Sequence, residues 1–435
     1  FKRLMNNGFN CENAHFNYIP TYTAVGHSAI YTGSTPSVNG IIGNNWYDKK
    51  AKKSIYCVDD DTYQTVGGEW GGNKSPARLL TTTVTDELQL TQMNRGKVIS
   101  ISLKDRSAIL PGGHTATAAY WFEDHFITGT YYMNELPKWV ESFNKKDYAQ
   151  KYLKGKWDTM YPIKQYTESI EDENDFEQPY TGMEKAIFPY DLKSLQVENG
   201  GNNMIKATPF GNSILIDFAK EAIENEKLGR NKETDFLAIS FSSPDYIGHQ
   251  FGVDSKEIED TYIRLDKELA DFLKFLDKEV GEKNYTLFLT ADHAAVQVPA
   301  YLSSLKIPSG YINSVEFKQM VTDFCMNRFG SDQLIEDYSN FQLFLNKDEL
   351  KRLKLDRNEV SQILVDYVLE FDWVFRVVDA HSLQNNLYKD RIMEFLKNGY
   401  NQKLSGDVLI IPNPATISHR MKGTTHGSGF TYDTH

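Results

Sequence analysis

Apolar residues along this chain gather in short continuous runs that end in polar clusters. "GKVISISLKDR" carries a β-branched run, Val98 to Leu103, followed at once by Lys104, Asp105 and Arg106. "DFLAISFSSPDYIGH" is apolar from Phe236 to Phe241 and then gives Ser242, Ser243, Asp245 and His249. "YTLFLTADHA" runs from Tyr285 to Leu289 and then gives Thr290, Asp292 and His293. Runs of this length predict strands buried on both faces, as in a parallel sheet. Between them, "GNSILIDFAKEAIENEKLG" and "EIEDTYIRLDKELADFLKFLDKEVG" place apolar residues at i, i+3 and i+4 and finish at Gly229 and Gly281, which predicts helices. Strand and helix alternation predicts a doubly wound α/β domain. In such sheets ligands bind beyond the carboxyl ends of the strands, where each polar cluster falls.

Two stretches interrupt the alternation. Residues 115–196 are rich in Tyr and Trp and hold the acidic run "ESIEDENDFEQ"; residues 296–418 contain an amphipathic helix, "DRNEVSQILVDYVLEF", and a strand, "GDVLIIP". Both are expected to be insertions that cover the functional edge of the sheet.

Composition narrows the function. The chain has 435 residues, 40% of them hydrophobic and 24% charged, enough to bury a sizeable core. A net charge of -12 argues against nucleic-acid partners, which need a basic face to displace condensed counterions. An anionic substrate would need local positive charge. No apolar run reaches bilayer length and no signal peptide is recognisable; with no initiator Met, the sequence reads as a processed or trimmed chain. Cys11, Cys57 and Cys325 lack the spacing of a thiolate zinc site. A disulfide between Cys11 and Cys57 and three buried thiols are both compatible with that spacing.

"PTYTAVGHSAIYTGSTP" packs hydroxyls around a predicted short helix closed by Gly33. Thr23 falls at its N-terminus, where backbone N–H groups and the helix dipole favour negative charge. It can serve as an N-cap, or as a nucleophile if a base or metal activates it. His27, four residues on, is expected to pack against the adjacent turn. Asp245 and His249 are four apart and share one helix face; Asp292 and His293 follow a predicted strand end. His426 lies in the Gly-rich "GTTHGSG". Mixed Asp and His donors without thiolates suit catalytic zinc with open positions.

Taken together, "PTYTAVGHSAIYTGSTP", "GIIGNNWYD", "SLKDRSAILPGGHTATAAYW", "SPDYIGHQFG", "TADHA" and "GTTHGS" resemble the alkaline phosphatase superfamily, in particular its PafA-type periplasmic members, relatives of nucleotide pyrophosphatase/phosphodiesterases. The resemblance implies one catalytic domain over 1–435: a three-layer αβα sandwich with a mostly parallel central sheet and inserted cap segments. It implies two Zn2+ per chain, one held by Asp245, His249 and His426, the other by Asp292 and His293 with the nucleophile Thr23 also coordinated to it. It also implies a further aspartate ligand on a strand preceding Phe1, and a strand following His435, both expected to lie outside this sequence.

Asn44, Lys104 and Arg106 would then bind the non-bridging phosphoryl oxygens, Arg as a two-oxygen fork and Lys as a point charge. That trio favours monoester dianions over diesters. The resulting expectation is a broad-specificity phosphomonoesterase acting through a phosphothreonine, releasing inorganic phosphate, periplasmic or secreted, monomeric, with no membrane or nucleic-acid partner. The alternatives are a phosphodiesterase on the same scaffold and a non-catalytic phosphate- or metal-binding protein.

Overall fold

The computed structural model describes residues 1–435, which divide into two compact units. The first comprises Phe1–Ala14, Ile30–Gly33 and Val58–Ala291; the second, His15–Ala29, Ser34–Cys57 and Asp292–His435.

The first unit is organised by a five-stranded sheet, in the order Thr65–Val66, His125–Gly129, Ala118–Glu123, Val98–Ser102, Phe236–Ser240. Val98–Ser102 is buried throughout, as its β-branched run predicts. It pairs in parallel with both neighbours, Ser102 opposite Trp121 on one side and Ser240 on the other. The remaining pairings are antiparallel, so the sheet is mixed, not mostly parallel as expected. The cause is a hairpin inside the aromatic stretch: Asp124, at φ 63°, turns Ala118–Glu123 back onto His125–Gly129. Residues counted as an interruption thus supply two sheet strands. The core is aromatic. Phe126 stacks on Phe218 of the helix Phe210–Glu226 at 3.9 Å between ring centres, and Tyr120 meets the same ring edge-on at 5.4 Å.

The second long helix runs Lys256–Leu276, capped by Ser255, whose Oγ accepts from the Ile258 N–H, and continues as one wider turn to Gly281 at φ 99°. One expected strand is absent: Tyr285–Leu289 forms no ladder, and Leu287, Phe288 and Leu289 are 38%, 57% and 49% exposed. An apolar run becomes a strand only where neighbours supply ladder partners and a cover. Here the run has neither, although Phe288 lies 6.3 Å from Phe236, ring centre to ring centre.

In the second unit Ile335–Ser339, Gln342–Leu345, Val408–Pro412 and Val374–Asp379 form an antiparallel sheet in that order. The anticipated amphipathic helix is Arg357–Val368, with Asp356 Oδ1 accepting from the Asn358 and Glu359 N–H groups. Val360 and Leu364 join Val321, Leu343 and Val408 in this unit's core. The cysteines form no disulfide; Cys11 is exposed, whereas Cys57 and Cys325 are buried. No helix is long and apolar enough to cross a membrane.

Candidate active site

Each unit carries its own cluster of the predicted residues. In the first, the chain leaves Val98–Ser102 at Leu103 and enters the helix Asp105–Gly112 with Lys104 at its N-cap. Lys104 is buried, its Nζ bonded to Asp245 Oδ2 and seated 4.7 Å over the Tyr246 ring. Asp245 and His249 do share a helix face, on Ser243–Phe251, with His249 Nε2 3.3 Å from Asp245 Oδ1. One carboxylate therefore receives an ammonium on one oxygen and an imidazole on the other. Asp105 accepts from the Arg106 N–H at 2.6 Å and pairs with Lys74 at 3.5 Å, which turns it to a structural duty. Half-buried Arg106 acts electrostatically on Tyr246, so its charge lies close to that of Lys104.

"TAVGHSAIYT" forms the helix Thr23–Thr32, whose residues up to Ala29 belong to the second unit, with Thr23 buried at its first position. Thr23 Oγ1 lies 3.4 Å from His293 Nε2, and Asp292 Oδ2 lies 3.4 Å from the same nitrogen. The His293 and His426 rings stack 3.4 Å apart at 15°. His426 Nδ1 is 2.6 Å from Thr21 O, and His293 Nδ1 is 3.1 Å from Ala294 O. A carbonyl only accepts, so each Nδ1 is the donor there, and in the neutral ring each Nε2 is the nitrogen left with a lone pair for a metal. Such backbone anchoring is how metal-binding histidines are oriented. Two imidazole Nε2 lone pairs, a carboxylate and an alcohol, with no thiolate, fit a catalytic zinc. Asn44 Oδ1 accepts from the Ala24 N–H at 2.9 Å, which leaves its NH2 as the donating end. Asn44 is half-buried, whereas its neighbour Asn45 is exposed.

Sequence reasoning passed over several supports. His27 does more than pack: its Nδ1 reaches Thr23 O at 2.9 Å and Asp292 Oδ2 at 3.2 Å, so it orients the carboxylate. Asp433 accepts from the Gly427 and Ser428 N–H groups at 3.0 and 2.7 Å, pinning the loop that carries His426. Burial pushes Asp433 up to about 6. Sequence separations of six and five residues gave no sign of these bonds, because the loop curls back only in three dimensions. Asp59 and Asp60 bond locally to Lys74, Ser75 and Thr62.

Gly26 is where the helix Thr23–Thr32 touches the Asp292 backbone: a Cβ there would sit inside the van der Waals shell of Asp292 O. Gly26→Ala should therefore cost about 1–3 kcal/mol by overpacking and lower turnover by displacing Asp292. Urea unfolding alongside an activity assay checks this; unchanged midpoint and unchanged rate would remove the close-approach argument.

Residues 1–435 match the family model described as type I phosphodiesterase / nucleotide pyrophosphatase. A protein of Myroides odoratus named calcium-transporting ATPase is 45% identical over 443 residues, all of this chain and 81% of the relative. Alkaline phosphatase PhoV of Synechococcus elongatus is 45% identical over 441 residues, again all of this chain and 79% of the relative. The crystal structure of wild-type alkaline phosphatase PafA superposes with a TM-score of 0.96 at 40% identity, covering 100% of this chain and 84% of that one. A family model over the whole chain, full-length identity at this level and one shared fold show that the chain belongs to the alkaline phosphatase superfamily as a PafA-type alkaline phosphatase.

Proposed function

We propose that the chain hydrolyses phosphate monoesters of broad structure at a two-zinc site, with Thr23 as the nucleophile and a phosphothreonine intermediate. The observation that carries this reading is the placement of the Thr23 hydroxyl: buried, at a helix N-terminus, within 3.4 Å of His293 Nε2. Asp245 and His249 of the first unit and Asp292, His293 and His426 of the second would supply the donors for two ions. Bound zinc would supply Lewis acidity that makes the hydroxyl acidic and offsets charge on the attacking and leaving oxygens.

The chain's own groups do the rest. Thr23 Oγ forms a bond to phosphorus as the ester P–O bond breaks and the alcohol departs with a proton. Water then attacks phosphorus in line, Thr23 Oγ leaves, and inorganic phosphate is released. Positioning and charge dominate such transfers. The Asn44 NH2 and the Lys104 and Arg106 cations are assigned to the non-bridging oxygens, and His27 holds Asp292 in place. Export to the periplasm or beyond and action as a monomer belong to the same reading, on resemblance alone.

The test is a paired assay with quantified zinc: kcat/KM for an aryl phosphate monoester against its methyl diester. A strong monoester preference supports the reading. A diester preference would move the protein to the phosphodiesterase branch, after which the family model is named; no turnover with zinc bound would leave a binding protein. Arg106→Ala should reduce monoester hydrolysis about 10- to 100-fold more than diester hydrolysis, since a charge-assisted fork is lost from the dianion alone. Equal losses would remove the reason for preferring monoesters.

A further inference from the structure

The seat of Lys104 is built from more than one carboxylate. Its backbone N–H donates to Ser102 Oγ at 3.1 Å, and that oxygen lies 3.0 Å from the hydroxyl of Ser242, the residue before the helix Ser243–Phe251. Both serines are buried. The strand end that carries Lys104 is thus tied to the start of the helix that carries Asp245 and Tyr246. The helix Phe210–Glu226 closes on the same joint, since a Cβ at Gly211 would overlap Ser243 Oγ and Leu103 Cδ1. Side chains that leave so fixed a joint meet in one geometry.

Asp245 and Tyr246 are consecutive on their helix, so their side chains leave it about 100° apart and reach the ammonium from different directions. The carboxylate takes Nζ by a hydrogen bond, and Nζ stands over the Tyr246 ring at 4.7 Å from its centre. A ring face within about 6 Å of an ammonium attracts it through the ring quadrupole, most where water is excluded. Lys104 is 5% exposed, so the attraction here is of the stronger kind. Asp245 is also assigned to a metal, whose charge competes with the ammonium for the same carboxylate. The pull of the ring does not draw on that carboxylate.

We propose that Tyr246 is a positioning residue for the phosphoryl site: its ring seats the Lys104 ammonium and, with it, part of the preference for a monoester dianion. The inference rests on the monoester reading above, in which Lys104 meets the non-bridging oxygens. The ring acts through Lys104 and not on phosphorus. Without the ring the charge remains but loses one of its seats, so the dianion meets a less well aimed cation. A misplaced cation costs a dianion more than a monoanion, so the diester feels the loss less.

The experiment uses the full chain loaded with zinc and reads kcat and KM for an aryl phosphate monoester and its methyl diester. Tyr246→Leu is expected to lower monoester kcat/KM about 5- to 30-fold and diester kcat/KM less than about 3-fold. Tyr246→Phe keeps the ring and should stay within about 3-fold of wild type on both substrates. In a Lys104→Met chain the same leucine change should add less than about 2-fold, because the charge it seats is already gone. A simple loss of packing would lower both substrates alike and would persist without Lys104. Should Tyr246→Leu not fold, replacing Tyr246 by phenylalanines with progressively more ring fluorines keeps the shape and weakens the ring face in steps. Monoester kcat/KM should then fall along the series while the diester value stays level. A wild type that prefers monoesters, beside a Tyr246→Leu chain with an unchanged monoester-to-diester ratio, would overturn this inference alone. A full leucine effect in the Lys104→Met chain, or a flat fluorine series, would do the same. A wild type that prefers the diester would overturn the monoester reading and this inference with it.

Discussion

Thr23→Ala is expected to cut kcat/KM for an aryl phosphate monoester at least about 1,000-fold, whereas Thr23→Ser should keep much of the activity. The magnitude is that of losing a nucleophile where positioning and charge stabilisation survive. The contrast between the two variants is the informative part. Serine retains the oxygen at the head of the helix Thr23–Thr32, 3.4 Å from His293 Nε2 in the threonine protein, and loses only a methyl group. Alanine retains the helix and loses the oxygen. Acid quench of the wild type during turnover should trap phosphate on Thr23, detectable by mass spectrometry of the peptide containing it. An alanine variant with near-normal turnover would end the nucleophile assignment, whatever its zinc content.

Metal removal has the second largest expected effect. A chelator should abolish turnover, and added zinc should restore it. His426→Ala should bind less zinc and stay inactive when zinc is added back. Both the His426 and His293 rings are held by backbone carbonyls through Nδ1, so replacing either removes a nitrogen that the fold has already aimed. Zinc stoichiometry by mass spectrometry separates this from misfolding: a His426→Ala chain with full zinc and full activity would contradict the ligand assignment. The chemistry of the donors supports zinc without excluding other divalent ions, so activity restored by manganese or cobalt alone would revise the metal and keep the ligands.

Much of the candidate site could be read in the sequence because its residues follow strong local signals. Lys104 and Arg106 stand directly after a β-branched run that the structure buries completely. Asp245 and His249 sit at helical spacing, and Thr23 opens a helix where its neighbours predict one. The supports were invisible for the opposite reason: His27 on Asp292, Thr21 O on His426 and Asp433 on the Gly427 amide join residues that no spacing rule connects. The sheet was misjudged through the aromatic stretch. "AAYWFEDHFITG" turns at a single residue, Asp124, with no Gly or Pro to mark it, so its hairpin was counted among insertions. Tyr285–Leu289 failed differently. Apolarity reports a demand for burial, and only the surroundings determine whether a ladder meets it.

That last segment has a practical consequence for anyone who handles the protein. Leu287, Phe288 and Leu289 lie open beside Phe236–Ser240, the terminal strand of its sheet. A greasy five-residue stretch next to a sheet margin is a template on which chains add to one another. Concentrating or freezing this polypeptide would therefore favour self-association through that margin, and a charged residue in place of Phe288 is the natural way to keep stocks clear.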